Sequence, residues 1–120
     1  MINLDTHIFL HALAGELKTR ERKVLSEHAW AISGIVMWEI EKLHELGRID
    51  IGLHDNAMRR ALSRTTVFPV DYKVCASLRA LDLTSDPADE LIAATSIAHQ
   101  IPLVTRDRVL LCSKVIPLVD

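Results

Sequence analysis

"AWAISGIVMWEIEKLHELG", residues 29–47, is the stretch that decides the fold. Its first five residues form a short apolar run suited to a buried strand. From Gly34 the spacing becomes that of a helix, which runs to Leu46 and stops at Gly47. The same alternation continues in both directions. Upstream, "MINL" (1–4) is an apolar run ending at Asp5, followed by the helically spaced "THIFLHALAG" (6–15) and a charged helix over 17–28. Downstream, "GRIDIGLHD" (47–55) reads as a loop, and a helix spans 55–64. "TTVFPV" (65–70) is a third strand, and the helix after it carries Val74, Cys75, Leu78 and Leu81 on one face. "SDPADELIAATSIAHQ" (85–100) opens a further helix, with Asp86 as N-cap and Pro87 at its first position. "IPLVT" (101–105) and "KVIPLV" (114–119) complete the expected strands. Short apolar strands alternating with helices predict an α/β fold with a mainly parallel central sheet flanked by helices on both faces.

A chain of 120 residues suits a single domain spanning 1–120. It is 49% hydrophobic and only 4% aromatic, the composition of an ordered, aliphatic-rich globular protein. The formal net charge of −2 predicts no polyanion partner from bulk charge, so any nucleic-acid contact needs a local patch. Cys75 and Cys112 lie apart in apolar stretches, which predicts two buried free thiols in a reducing compartment. No apolar run approaches a membrane span, and no signal-type core follows the N-terminus, so the expected location is cytoplasmic.

In parallel sheets, ligands bind beyond the carboxyl ends of the strands. That rule directs attention to Asp5, Ser33 and the Thr105–Asp107 turn. A fourth position comes from the helix of the opening stretch. Each helical residue advances by roughly 100°, which gathers Ile35, Val36, Ile40, Leu43 and Leu46 in one apolar arc. Glu39 falls inside that arc. A carboxylate there fits a buried ion pair, an arc-edge residue reaching solvent, or a cation ligand. The other acids also have ordinary alternatives. Asp5 suits the N-cap of the first helix, Asp89 the third helical position of a capping box, and Asp107 a turn. Taken together, however, three of these acids lie at or near strand ends, and the fourth is on the inner face of a helix leaving another. Converging carboxylates repel, so a shared mouth would require protons or a cation. An oxygen-only ligand set favours Mg2+ or Mn2+ over zinc.

These residues also carry a family resemblance. "LDTHIFL", "SGIVMWEI", "DPADELIAAT" and "LVTRD", in that order and across essentially the whole chain, resemble the PIN domain, and most closely the VapC-type toxins of toxin–antitoxin pairs. The resemblance implies a three-layer α/β/α fold and an endoribonuclease that hydrolyses RNA phosphodiester bonds, typically in tRNA or rRNA. It implies that Asp5, Glu39, Asp89 and Asp107 form the active site and hold Mg2+ or Mn2+, with Thr6 and Thr105 beside them. A cognate antitoxin and a homodimer are the implied partners. One position departs from the pattern: where the family usually has arginine after the third acid, this chain has Glu90, which bears on local metal or substrate binding.

Setting the four acids aside raises the formal charge from −2 to +2, enough to permit RNA binding without indicating it. Arg59, Arg60 and Arg64 fall on the outer side of their helix, while Arg106 and Arg108 flank Asp107 and are candidates for phosphate or antitoxin contact. His7 and His11 have i, i+4 spacing but no third zinc ligand, so a structural role is expected. Trp38 points away from Glu39 on the wheel, toward another element or a dimer partner. A non-catalytic PIN-like RNA- or protein-binding module is the alternative function, and it would be favoured by lost carboxylates; none is lost. Receiver domains and aspartyl phosphatases fit poorly. The first need an acidic pair after the first strand and a late lysine; the second need an Asp where His7 stands.

Overall fold

The computed structural model describes residues 1–119. The chain forms β1 (Ile2–Leu4), α1 (Thr6–Ala14), α2 (Thr19–Glu27), β2 (Trp30–Ser33), α3 (Gly34–Glu45), α4 (Asn56–Ser63) and β3 (Thr66–Phe68). It continues through α5 (Tyr72–Ser77), a 3-10 turn (Leu78–Ala80), α6 (Pro87–His99), β4 (Leu103–Val104) and α7 (Arg108–Leu111). The four strands make one parallel sheet in the order β3-β2-β1-β4. This is the predicted α/β architecture, a central parallel sheet between helical layers. The chain starts in the middle, builds outward through β2 and β3, then crosses back to add β4 on the other side of β1. The strand order therefore reverses at β1, whose carboxyl end is the natural ligand crevice of such a sheet.

The two faces of the sheet follow from strand alternation. Ile2 lies beside Trp30 and Asn3 beside Ala31. The face carrying Ile2, Leu4, Trp30 and Ile32 packs toward α1 and α2: the Trp30 ring meets Phe9 edge-on at 6.5 Å, and its indole N–H donates to the Leu25 carbonyl. Ile2, Leu4, Ile8, Phe9 and Ile32 are fully buried there; each such side chain contributes roughly 1.5–3 kcal/mol of burial. The opposite face carries Asn3, Ala31 and Ser33 against α6. That helix is sealed by the sheet on one side and by α5 on the other, and its inner residues Ala93, Ala94, Thr95 and Ser96 are small enough to permit both contacts. Its last turn stacks His99 on Phe68 of β3.

Asn3, a polar residue inside an apolar run, fixes α6 on the sheet. It is fully buried, and its Nδ2 donates to the Ile92 carbonyl and to Ser96 Oγ, each at 3.0 Å.

Several expectations are corrected. The final strand, expected over 114–119, is reduced to a single bridge between Leu103 and Leu118. Pro117 has no N–H to extend a ladder, and the preceding residues turn on hydrogen bonds to Ser113 and Asp82. A short helix, α7, occupies residues between the last two expected strands to which no element was assigned. Cys75 and Cys112 are free but exposed, because α5 faces α6 through Val74 and α7 buries Leu110 instead. Leu46 lies at the end of α3, beyond the packed part of its arc, and is exposed. Among the described residues, no helix is long and apolar enough to cross a membrane.

An ion pair ties the two ends of the chain's first and last thirds together. Arg106 donates through Nε and Nη2 to both carboxylate oxygens of Glu21, at 2.8 and 2.6 Å. Glu21 also accepts from the Lys18 backbone N–H, closing the first turn of α2. The hydrogen bond and charge of Arg106 hold the Glu21 carboxyl down at about 2, against an ordinary value of 4.5. A depressed carboxyl pKa contributes stability at and above its unfolded value and loses it as the pH falls through the folded one. The advantage of the wild type over Glu21→Gln should thus be on the order of 1–2 kcal/mol near neutrality and should vanish between pH 4.5 and about 2, as read by urea denaturation across that range. A difference that persists unchanged below pH 2 would contradict the pairing. Replacing Asn3 by Ala should lower stability by roughly 1–3 kcal/mol; an unshifted denaturation midpoint would show that the Asn3 bonds do not anchor α6.

Candidate active site

Asp5 leaves the carboxyl end of β1 and does two jobs at once. One oxygen, Oδ1, accepts from the Thr6 N–H at 2.7 Å as the N-cap of α1. The other, Oδ2, accepts from Thr105 Oγ1 at 2.6 Å. Asp5 is buried, so these bonds compensate part of its desolvation. Thr105, just past β4, then accepts from the Asp107 N–H at 3.0 Å and thereby sets the turn that starts α7. Asp107 caps that helix, its Oδ1 accepting from Val109 and Leu110. The capping reading of Asp5 is thus correct, and Asp107, expected in a turn, caps a helix as well. Capping occupies one oxygen of Asp107 and leaves Oδ2 without a bond among the described residues.

Glu39 reaches the same crevice from α3. It is half-buried, and its Oε1 accepts from the Thr6 hydroxyl. Among the described residues it has no ion-pair partner. Asp89 arrives from the first turn of α6, where its Oδ2 accepts from Ser85 Oγ at 3.3 Å. The backbone-capping bond expected of that turn is made by its neighbour instead: Glu90 accepts from the Ser85 N–H at 3.0 Å. Asp86 stands at the N-cap position without using its side chain as a cap.

Asp5, Glu39, Asp89 and Asp107 all line one open cleft of about 500 Å³, together with Asp86, His7, His11 and Arg106. Asp86 escaped the sequence reading because it was assigned wholly to capping; its i, i+3 relation to Asp89, which puts both on one helix face, was the available signal. His7 and His11 border the cleft, and His11 lies 3.8 Å from Glu16. Ser33 does not line it. It is buried, and caps α3 through the Ile35 N–H. Arg108 does not line the cleft either, but lines a separate groove with Asp82 and Cys112, and Trp38 is 55% exposed on α3.

The acids are close enough to feel one another. Burial pushes the Asp89 carboxyl up to about 6, and the charges of Asp5, Glu39 and Asp107 add to the rise. Glu39 is raised as well, first by burial and then by Asp5, with the Thr6 hydrogen bond opposing. The guanidinium in the cleft wall is bound to Glu21 and bonds to none of these acids. A set of mutually repelling carboxylates suits a hard divalent cation. The side chains are not already drawn together around it: among the described residues, no three His, Cys, Asp or Glu groups stand close enough to hold an ion as they are.

Comparison with known proteins places this geometry. A toxin–antitoxin complex from Klebsiella pneumoniae contains a chain superposing with a TM-score of 0.74 at 19% identity, covering 100% of this chain and 97% of that one. VapBC2 from Rickettsia felis, bound to a DNA fragment from its promoter, gives 0.75 at 22% identity over 99% and 98%. DNA-bound VapBC from Salmonella typhimurium gives 0.67 at 22% over 100% and 98%. At these identities the likeness is one of fold. No curated protein matches the sequence. The PIN domain family model matches residues 2–112, nearly the whole chain, and the protein belongs to the PIN domain family.

Proposed function

We propose that this protein is the VapC-type toxin of a toxin–antitoxin pair, a single-domain, Mg2+- or Mn2+-dependent endoribonuclease that hydrolyses RNA phosphodiester bonds in the cytoplasm. The observation that carries this reading is the convergence of four carboxylates from four separate elements on one cleft, where Asp89 is raised to about 6 with the other three among the causes. Surfaces selected for stability alone do not gather like charges in this way. The toxin–antitoxin identity of the similar structures supports the biological role, and an antitoxin as partner.

In this reading Asp5, Asp89 and Asp107 hold the cation, and Glu39 completes its shell or orients the attacking water. The bound cation supplies charge stabilisation to the scissile phosphate and acidifies water. Glu39 is suited to take up a proton at Oε2, because burial raises its proton affinity while Thr6 holds Oε1. Thr105 fixes Asp5 by occupying Oδ2 on the side away from its cap. Phosphate contact is assigned to Arg106 in the cleft wall, and to Arg108, next in sequence to Asp107; tRNA or rRNA is the expected substrate class. An apolar groove lined by Leu10, Leu13, Ile49 and Ile51 shares His7 and His11 with the acid cleft, and is the surface along which an antitoxin segment would approach it. The exposed Trp38 is the first candidate for a homodimer contact.

Asp5→Asn and Glu39→Gln should each lower cleavage of a tRNA pool by on the order of 100-fold or more without loss of the fold; undiminished cleavage by either would refute its assignment. A second measurement reads the burial of Asp89 and its repulsion by the other acids together. A carboxyl raised to about 6 binds protons in the folded state that the unfolded chain releases near 3.8, so its contribution to stability declines as pH rises through that interval. In metal-free protein at pH 7, Asp89→Asn should therefore raise Tm by a few degrees, and the gain should disappear below pH 4. A Tm unchanged or lowered at pH 7 would mean that neither burial nor the neighbouring acids burden the Asp89 carboxylate.

A further inference from the structure

Arg106 poses a problem that the proposed chemistry does not solve by itself. A guanidinium lines a cleft whose other charged walls are Asp5, Glu39, Asp86, Asp89 and Asp107. It is adjacent in sequence to Asp107, and Coulomb attraction alone would draw it onto those carboxylates. Yet it bonds to none of them. Its Nε and Nη2 go to the two oxygens of Glu21 on α2, and Nη2 is also 3.4 Å from the Glu16 carbonyl. The pair has the two-point fork geometry that fixes a guanidinium most firmly. Glu21 is in turn fixed by the Lys18 N–H at 2.8 Å, and its side chain is only 13% exposed, so it cannot readily follow the arginine if that group moves.

We propose that Glu21 is a positioning residue that restrains Arg106 at the edge of the acidic cleft, keeping the carboxylates available to a divalent cation and leaving the unbonded Nη1 for substrate phosphate. The idea rests on the metal-dependent nuclease reading above. It assigns a function beyond stability to a partly buried ion pair. Without Glu21, the tethered guanidinium is a cation already present in the cleft, competing with the metal for the same oxygens. An acidic residue that is not a ligand would thereby strengthen cation binding. Simple removal of a negative charge near the site would also weaken binding, but that effect does not depend on Arg106. The two are separable.

The test is Mn2+ titration by calorimetry of wild type, Glu21→Gln, Arg106→Gln and the double variant, with no RNA present. Gln at position 21 keeps an acceptor for the Lys18 N–H, and circular dichroism checks that each variant is folded. Glu21→Gln should weaken Mn2+ binding by on the order of tenfold, and the added Arg106→Gln should restore it to near the wild-type value. Arg106→Gln alone should bind Mn2+ as wild type does, because the paired guanidinium stands off the carboxylates; an Arg106→Gln variant tighter by on the order of tenfold would mean that the two charges act additively and would overturn the proposal. Equal affinities for wild type and Glu21→Gln would overturn the proposal, as would a double variant as weak as Glu21→Gln. If wild type takes up no Mn2+, the metal-site reading itself fails and the proposal falls with it.

Discussion

The carboxylate of Asp5 is the interaction on which the rest of the site depends. One oxygen starts α1 and the other holds Thr105, whose own oxygen receives the Asp107 N–H. Through three short bonds, a single residue at the end of the central strand sets the direction of the first helix, the turn after β4 and the start of α7. It also carries a charge that Glu39 and Asp89 feel. A carboxylate was needed at this point for local structure, and the same group, once buried, makes the crevice strongly attractive to a cation. Capping a helix and lining the acidic cleft are here two uses of one residue.

What opposes this cluster is its own repulsion, and the surrounding scaffold resists it by rigidity. Asn3 anchors α6 to β1, so that Asp89 cannot drift away from Asp5 without breaking buried hydrogen bonds. Ser85 and Glu90 fasten the first turn of the same helix. On the other side, Val36 and Ile40 are fully buried and fix the roll of α3, which aims Glu39 inward. The Glu90 position, where the family resemblance fails, has a structural occupation in this chain: it satisfies the N–H of Ser85 and so supports the turn that carries Asp89.

Much of this was legible in the sequence. The strand-to-helix passage at Ser33–Gly34 and the apolar runs at 1–4, 65–70 and 101–105 are local signals, and the parallel sheet between helical layers followed from their alternation. The inward placement of Glu39 was visible because helical periodicity acts over a few residues. The misreadings share a cause. The exposed thiols, the last strand reduced to one bridge, and the exposed Leu46 all depend on what packs opposite each residue, which local spacing does not encode. Asp86 was overlooked for the converse reason: a complete local explanation, capping, hid a tertiary role.

By itself, then, the sequence determined the fold class, since alternating strand and helix signals are written in short-range pattern, and its ordered motifs carried the resemblance to the family. Only the tertiary structure decided that the four acids share one cleft, that Asp5 and Asp107 cap helices while facing it, and that Arg106 turns from the acids to Glu21. Those outcomes join residues up to a hundred positions apart. They rest on strand order and on competition among charges for the same partner, and neither can be evaluated until the chain has closed on itself.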